Sequence, residues 1–401
     1  MKFIFVLLCS IAYTGFSESG KLTLDRALDR ARQNSPRLQA AQVAAEAAAA
    51  ARSTAGLWKN PELDFEAEGV GGDLDGVNDT SYTLSVKQTF ERGGKRALER
   101  QVAGKAVDVA EQSRAVRELE LLSEVRRAFI DVFAQQEIGA VRAEQEQLGR
   151  AFVEVAKSRY EAGGGSELDV VQAELAMEEI LLSQTCCFGD LEAARIQLAS
   201  LIGVPESEMA ELAGSYYELE EISERQLADS HPVLQRLDAQ VEMLRAKAAR
   251  ERAADTADIT LGAGMRHESA EELSSFVFGA SIPLNFVRSG RAAETAALLD
   301  AEALAAEREE IRRDWQAQLS RLIAIFRGAR TEAEMTAERL LPKARQAYEV
   351  SKAGYDAGRF SWFELINAQQ HLAEIRVRHI EALRDAHAAR AEITRFLEEE
   401  L

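Results

Sequence analysis

The sequence predicts a mainly helical protein with a small β part, built from two copies of one unit. Three observations lead to this fold class: an internal repeat, very long Ala- and Leu-rich helical stretches, and short segments of alternating apolar and polar residues. The repeat is clearest in YEAGGGSELDVVQA, from Tyr160, and YDAGRFSWFELINA, from Tyr355, which align at an offset of about 195 residues. PRLQ from Pro36 and PVLQ from Pro232 align at nearly the same offset. The chain is therefore predicted to be a tandem duplication.

Each copy has the same predicted order of elements: a helix, two strands, a long helix, a glycine-containing turn and a returning helix. Residues 1–17 combine the basic Lys2 with a short apolar run and small residues, which is typical of a secretory signal segment. The first structural repeat is predicted at 18–201 and the second at 222–401. Residues 202–221 are predicted to form a linker or equatorial segment between them.

The two long helices, predicted at about 94–160 and 290–355, are the largest elements. At 1.5 Å per residue each would be roughly 100 Å long, so it needs lateral partners, as in a coiled coil or a helical barrel. Pro342 lies within the second one and is expected to bend it or to loosen one hydrogen bond there. The opening helices are predicted at about 23–55 and 224–253, and the returning helices at about 166–201 and 361–400.

The strands are predicted from segments with a period of two, in which apolar residues face one side and polar residues the other. They lie at 61–68, 81–90, 258–266 and 275–285. This alternation matches membrane-barrel strands whose polar face lines a water-filled lumen, although hairpins on a soluble helical body would show it too. Since a membrane barrel needs about eight strands, four membrane strands would require several chains to share one barrel.

The first strand places four carboxylates on its polar face. They would form an acidic stripe along a lumen, or alternatively a solvated strand face. These candidate residues are Glu62, Asp64, Glu66 and Glu68.

The segment AGGGSELD permits three interpretations: a phosphate cradle, a flexible linker, or a turn between two helices. It lacks the Gly-Lys-Ser/Thr ending of a phosphate loop and follows a helix, and its copy near Tyr355 favours the turn. Gly163 is expected to end the first long helix in the left-handed conformation. Ser166 and Ser361 begin Ser-x-x-Asp and Ser-x-x-Glu sequences, the spacing of a capping box at a helix N-terminus.

Composition and motifs exclude several classes of function. A formal net charge of −19 argues against a nucleic-acid partner and favours cationic solutes. The sequence has no motif of a nucleophilic or zinc enzyme, so we predict no catalytic residue, no cofactor and no resident metal. His371, His379 and His387 are spaced by eight residues on one helix, about 12 Å apart, too far to share an ion. Cys186 and Cys187 are predicted to be small buried residues.

The repeated order of helix, hairpin and long helical hairpin, with Tyr-x-Ala-Gly-x-x-Ser turns, resembles the TolC-type outer-membrane efflux proteins. The resemblance extends over essentially the whole chain from Leu22. Within that family, NPELDFEAE from Asn60 and QTFERGGKR from Gln88 are most similar to the CzcC-type branch, the outer-membrane components of heavy-metal efflux pumps.

This resemblance implies a homotrimer with a 12-stranded barrel in outer-membrane lipid and a helical tunnel that spans the periplasm. The implied partners are a periplasmic adaptor protein and an inner-membrane pump of the resistance-nodulation-division class. The tips at 161–166 and 356–361 would then dock the adaptor. Second turns in the family often carry two acidic residues one helical turn apart, and here Glu364 matches the first and Asn367 replaces the second. The implied docking residues are Tyr160, Gly163, Ser166, Tyr355, Gly358 and Ser361.

Three functions remain open at the level of the sequence. The first is a passive export duct for heavy-metal cations such as cobalt, zinc and cadmium, which would not be an enzyme. The second is the same kind of duct for a drug pump or for type I protein secretion. The third is a soluble periplasmic coiled-coil adaptor. An adaptor normally has one helical hairpin between β-rich domains, so the duplicated hairpin favours a duct.

Overall fold

The computed structural model describes residues 21–70, 80–214, 216–219, 221–222, 227–269, 272–284 and 290–397, and the predicted signal segment 1–17 lies outside these ranges. None of the described helices is long and apolar enough to cross a membrane. The elements are α1 (Leu24–Asn34), α2 (Pro36–Thr54), β1 (Glu62–Glu68), β2 (Ser81–Phe90), α3 (Lys95–Glu161), α4 (Glu167–Ile202), α5 (Pro232–Ala253), β3 (Ile259–Glu268), β4 (Leu273–Ser281), α6 (Gly290–Met335), α7 (Leu341–Asp356) and α8 (Trp362–Leu397).

The opening helix of each repeat differs from its prediction, and proline is the reason. The helix predicted at 23–55 is broken at Ser35, whose φ of −70° and ψ of 119° are extended. A residue before proline is disfavoured in the helical conformation, and Pro36 takes the first position of α2. In the second repeat α5 begins at Pro232 and not near 224 as predicted, and residues 227–231 before it are not helical.

The long helices agree with the prediction closely. Helix α3 has 67 residues and is uninterrupted, and α4 returns from it. In the second repeat a π-helical turn over Thr336–Leu340 separates α6 from α7, just before Pro342. Because proline donates no backbone hydrogen bond, a widened turn at this place accommodates it. The expected loosening around Pro342 is therefore present in the structure.

The chain divides into two compact units, each of which takes segments from both repeats. The tip unit comprises 1–34, 124–220 and 328–388 and contains both hairpin turns, and the sheet unit comprises the remaining residues. A helix as long as α3 runs from one unit into the other, so the repeats of the sequence are not the compact units of the fold.

In the sheet unit the four strands form one antiparallel sheet in the order β1-β2-β3-β4. Strand β2 pairs with β3, so the hairpins of the two repeats join directly. The observed bounds of β3 and β4 differ from the predicted 258–266 and 275–285 by up to four residues, and β2 lies at its predicted bounds. Cross-strand partners on one face include Leu84 with Met265 and Ala263 with Phe278.

In the tip unit the predicted linker is a packed segment. Leu212 forms a bridge with Leu22, and the Tyr216 ring stacks on Phe133 with centroids 5.0 Å apart. The buried Tyr216 hydroxyl donates a hydrogen bond to the backbone carbonyl of Ile380 at 2.9 Å. Burial raises the pKa of Tyr216, which keeps its hydroxyl protonated as a donor.

The prediction for the two cysteines is correct for one of them. Cys187 is buried in the core around Ile380, and burial raises the pKa of its thiol. Cys186 is exposed, contrary to the prediction. Successive residues of a helix point about 100° apart, and here Cys187 points into the core while Cys186 points to solvent.

Candidate functional site

Each hairpin tip is closed by a glycine in the left-handed conformation. Gly163 has φ of 73° and Gly358 has φ of 68°, a region that side chains with a Cβ disfavour. The amide after each glycine donates back to the carbonyl five residues earlier, at 2.9 Å in the first tip and 2.8 Å in the second. This pattern is the Schellman helix ending. The predicted stop at Gly163 is confirmed, and its copy ends α7 in the same way.

The helices that leave the tips begin with the capping geometry expected from the sequence. The Asp169 amide donates to the Ser166 hydroxyl at 3.1 Å, and the Ser166 amide donates to the Asp169 carboxylate at 3.0 Å. In the second tip the corresponding distances between Glu364 and Ser361 are 3.3 Å and 2.7 Å. Both caps satisfy amides that a helix start leaves without a partner.

Glu364 combines this cap with an exposed position. Hydrogen bonds from the backbone amide and the hydroxyl of Ser361 hold the pKa of its carboxyl below the ordinary value of 4.5, so the group stays charged at neutral pH. Asn367 lies one turn further along α8 and is exposed on the same face. The structure therefore places the two candidate aperture residues side by side on the surface of one chain.

The two tip tyrosines, which the duplication pairs, have different surroundings. Tyr160 is 49% exposed, whereas Tyr355 is only 8% exposed. The Tyr355 ring packs edge-on against Trp362 with centroids 5.8 Å apart, and the Arg159 guanidinium lies over the Tyr355 ring, 4.7 Å from its centroid. Phe152 meets Trp362 at 4.9 Å. The second tip is thus locked by aromatic packing, and Tyr160 is the tip tyrosine that presents its ring to solvent.

The returning helices α4 and α8 show different chemistry to solvent. Helix α4 exposes a row of apolar side chains: Leu168, Val171, Leu175 and Leu182 are 54–68% exposed. Helix α8 exposes a row of polar side chains at alternating steps of three and four residues, which is one face of a helix. Its members are Glu364, Asn367, His371, Glu374, Arg378, Glu381 and Asp385. We refer to this row as the α8 polar stripe.

The acidic residues of β1 lie on one face of the sheet, as the alternation predicted, and part of their charge is compensated. Asp64 accepts a hydrogen bond from the Lys87 ammonium at 2.5 Å, a pair that is about two-fifths exposed. Glu68 pairs with Arg266, whose Nε donates to Thr83 at 3.1 Å. The face that carries Glu62, Asp64, Glu66 and Glu68 is therefore a charged ladder that spans β1, β2 and β3.

The opposite face of the same sheet is apolar and exposed. Phe276 and Phe278 on β4 are 78% and 79% exposed, and Leu63 on β1 is 72% exposed. Contiguous apolar patches of this kind mark a surface that contacts another apolar phase or another protein. Further members are Phe65, Leu84, Val86, Leu261 and Met265.

The histidines of α8 lie in three separate surroundings. His387 Nε2 is 2.8 Å from the carbonyl of Tyr216, and His379 stacks against Tyr217, where burial lowers its pKa. His371 is exposed beside Glu374 at 3.6 Å. Within the part of the chain that the structure describes, no group of three or more His, Cys, Asp or Glu side chains is arranged to hold a metal ion.

The packing of Tyr216 and Tyr217 was not found from the sequence. Tyr217 donates to Glu137 at 2.6 Å, and burial together with this carboxylate raises its pKa to about 12. The adjacent tyrosine pair in the linker was the available signal. Its partners on α3 and α8 are distant in sequence, so local pattern could not identify them.

The fold of this chain is similar to that of solved outer-membrane channels. The fold matches the outer membrane protein VceC of Vibrio cholerae with a TM-score of 0.73 at 16% identity, over 92% of this chain and 95% of that one. The channel CmeC of Campylobacter jejuni matches with a TM-score of 0.75 at 14% identity, over 94% and 87% of the two chains. The chain therefore has the two-repeat fold of TolC-like outer-membrane channels.

The chain belongs to the Outer membrane efflux protein family, which matches residues 27–204 and 225–398. These two matched segments correspond to the two repeats. The cobalt-zinc-cadmium resistance protein CzcC of Cupriavidus metallidurans is 24% identical over 384 residues, which cover 94% of this chain and 90% of CzcC. The family is one of membrane channels and not of enzymes, in agreement with the absence of catalytic motifs from the sequence.

Proposed function

We propose that this chain forms the outer-membrane duct of a tripartite pump that exports heavy-metal cations. The observation that carries the proposal is the four-stranded sheet, with one exposed apolar face and one charged face, attached to long helical hairpins. A soluble scaffold would not gain from exposing Phe276 and Phe278 so fully, whereas lipid chains would cover them without cost.

The sheet also supports oligomerisation. In one chain the outer strands β1 and β4 each have a single neighbour among the described strands. Open edges invite further strands, and a lipid-exposed edge is not tolerated because its backbone groups would lose their hydrogen bonds. Pairing β4 of one copy with β1 of the next satisfies both edges. Three copies would give twelve strands, in line with the homotrimer that the family resemblance implied.

In such a barrel the ladder of Glu62, Asp64, Glu66 and Glu68 would face the lumen, and the exposed apolar row of α4 would pack against a neighbouring copy. The α8 polar stripe would then remain in contact with water inside the helical tunnel. An acidic lining lowers the energy of cations in the duct and raises that of anions. The formal net charge of the whole chain, −19, is negative like the proposed lining.

The cargo is inferred from relatives and from the charge. Besides CzcC, the nickel-cobalt-cadmium resistance protein NccC of Alcaligenes xylosoxydans xylosoxydans is 26% identical over 252 residues, 62% of this chain and 57% of NccC. Both names refer to resistance to divalent metals. A duct for drugs or proteins remains the second candidate, because the inner-membrane pump largely chooses the cargo that enters the duct.

The tips are the proposed contact for the periplasmic adaptor and the proposed narrowest part of the duct. Their exposed residues include Tyr160, Ser166 and Ser361, while Gly163 and Gly358 fix the turns and Tyr355 supports the second tip from within. Glu364 and Asn367 are the first residues of the α8 polar stripe and follow the second tip directly. Three copies of Glu364 around an axis would give a ring of carboxylates that favours cations.

Membrane fractionation and sizing in mild detergent test the duct. We expect the chain in the outer-membrane fraction, as a stable trimer that opens ion-conducting pores in planar bilayers. A monomer found only in the soluble periplasm would contradict the proposal and favour the adaptor interpretation.

Deletion of the gene tests the cargo. We expect reduced tolerance to cobalt, zinc, cadmium or nickel and unchanged tolerance to drugs, with restoration by the plasmid-borne gene. Unchanged metal tolerance together with reduced drug tolerance would reject the metal cargo and leave the duct intact.

A further inference from the structure

On the α8 polar stripe, His371 and Glu374 form a pair that differs from the ion pairs elsewhere on this helix. They lie three residues apart, and Nδ1 of the imidazole is 3.6 Å from Oε2 of the carboxylate. A hydrogen bond between such groups would be shorter, in the range of about 2.7–3.2 Å. Their side chains are 67% and 71% exposed, so both are accessible to a solute.

The separation suits a bridging metal ion. Zinc binds histidine nitrogen and carboxylate oxygen at about 2.0–2.2 Å, and two ligands at a tetrahedral angle are then about 3.4 Å apart. The observed 3.6 Å between Nδ1 and Oε2 is close to this value. Imidazole and carboxylate together are ligands for zinc, cobalt, nickel and cadmium, while Mg²⁺ prefers an all-oxygen shell.

We propose that His371 and Glu374 form a transient binding site for a borderline divalent transition metal, a stage on the path of the exported ion. This inference rests on the proposed function, since it assigns the cargo to a particular place on α8. One chain supplies two ligands, so water or the same residues of other copies complete the coordination. Such an open site binds weakly, which passage requires, because a tight site would slow release.

The neighbours on the stripe add oxygen ligands between the second tip and the pair. Asn367 lies one turn before His371, and Glu364 lies one turn before Asn367, so oxygen ligands follow one another from the tip along one helical face. Beyond Glu374 the next stripe residue is Arg378, whose guanidinium pairs with Glu332 at 2.8 Å. On the α8 polar stripe, the pair of His371 and Glu374 is therefore the place where an imidazole nitrogen lies beside a carboxylate.

Protection of His371 from diethyl pyrocarbonate provides a test on the full-length protein in detergent. The reagent modifies exposed imidazoles, and peptide mass spectrometry reports each histidine separately. At a Zn²⁺ concentration about ten times the dissociation constant, modification of His371 should slow about tenfold. His267, which is exposed on β3 and hydrogen-bonded to Ser274, is the internal control and should be unaffected. Equal concentrations of Mg²⁺ should protect neither.

Bilayer recordings provide the second readout, with the double variant His371→Gln/Glu374→Gln. Zn²⁺ should reduce the potassium conductance of the unchanged protein and leave that of the double variant unaltered. Glu381→Gln, which removes a charge from the same stripe without touching the pair, should retain the reduction by Zn²⁺. Loss of the zinc effect in both variants would assign it to general charge and overturn the site.

The two proposals can fail separately. If pores form but Zn²⁺ neither protects His371 nor reduces conductance, the metal site is wrong and the duct stands. If Zn²⁺ protects His371 but the purified protein opens no pores, the pair binds zinc but the duct is rejected, and with it the role of the pair on an export path.

Discussion

The two faces of the four-stranded sheet lead to the sharpest prediction, which compares a lysine at two adjacent residues of β4. Phe278 lies on the apolar face and is 79% exposed. Gly279 is on the opposite face, where an added Cβ meets no atom within 4 Å. The variants Phe278→Lys and Gly279→Lys therefore introduce the same charge one residue apart, one toward the proposed lipid and one toward the proposed lumen.

The expected loss of unfolding free energy in Phe278→Lys depends on whether water or lipid covers the exposed side chain. If water covers Phe278, only about a fifth of its side chain is buried, and the lysine costs about 0.3–0.6 kcal/mol of unfolding free energy. If lipid covers it, a lysine near the bilayer midplane costs about 2–4 kcal/mol. The difference of about 1.5–3.5 kcal/mol corresponds to roughly a 10- to 400-fold change in the ratio of folded to unfolded protein.

The assay is refolding from urea into phosphatidylcholine vesicles, with the folded fraction read from heat-modifiable mobility on a gel. We expect Phe278→Lys to move the midpoint of the urea titration to a clearly lower urea concentration. Gly279→Lys should leave the midpoint near that of the unchanged chain. Equal titration curves for the two variants would refute the assignment of the apolar face to lipid.

Three further predictions concern the tip unit. Glu364→Gln should weaken cation preference in bilayers, and because the pKa of Glu364 lies below 4.5, the preference should persist as the pH falls to that value and disappear below it. Tyr216→Phe removes the hydrogen bond to Ile380 and should lower the unfolding free energy by about 0.5–1.5 kcal/mol in a urea titration. Gly354→Ala would bring a Cβ within 2.1 Å of the Phe360 ring and should destabilise the second tip by about 1–3 kcal/mol, seen as faster proteolysis there.

Each of these variants has a matched control. Asp169→Asn removes the capping carboxylate of the first tip, and an equal change in cation preference would contradict a special role for Glu364. Tyr217→Phe alters the more exposed neighbour of Tyr216. If Tyr217→Phe lowered the unfolding free energy more than Tyr216→Phe, the packing described would be contradicted. Gly328→Ala places a methyl group in open space on α6 and should stabilise, so destabilisation by both alanines would reject the steric explanation for Gly354.

Much of the local structure could be predicted because its causes lie within a few residues. Gly163 and Gly358 end their helices through their own backbone freedom, and Ser166 and Ser361 cap the next helices with residues three positions away. The alternation in β2 gave the same bounds that the structure has. The helix break at Ser35 also has a local cause, the following proline, although the apolar pattern on both sides suggested one helix.

Burial could not be predicted where residues with the same sequence pattern have different surroundings in the folded chain. Tyr160 and Tyr355 are equivalent in the duplication, yet only Tyr355 is covered. It packs against Trp362, which in turn meets Phe152 of α3, and the position that corresponds to Trp362 in the first tip is Glu167. Adjacent Cys186 and Cys187 likewise separate into an exposed and a buried side chain according to which face of α4 meets the core.

The sequence by itself determined the duplication, the order of the elements, the turns with their caps, and the two-faced strands, since each depends on short-range periodicity or backbone preference. Only the tertiary structure decided that Tyr216 joins the linker to α8, that Asp64 and Glu68 are paired, and that His371 stands 3.6 Å from Glu374 on an exposed stripe. These facts depend on side-chain directions and on contacts across large sequence separations, which a pattern in one dimension does not contain.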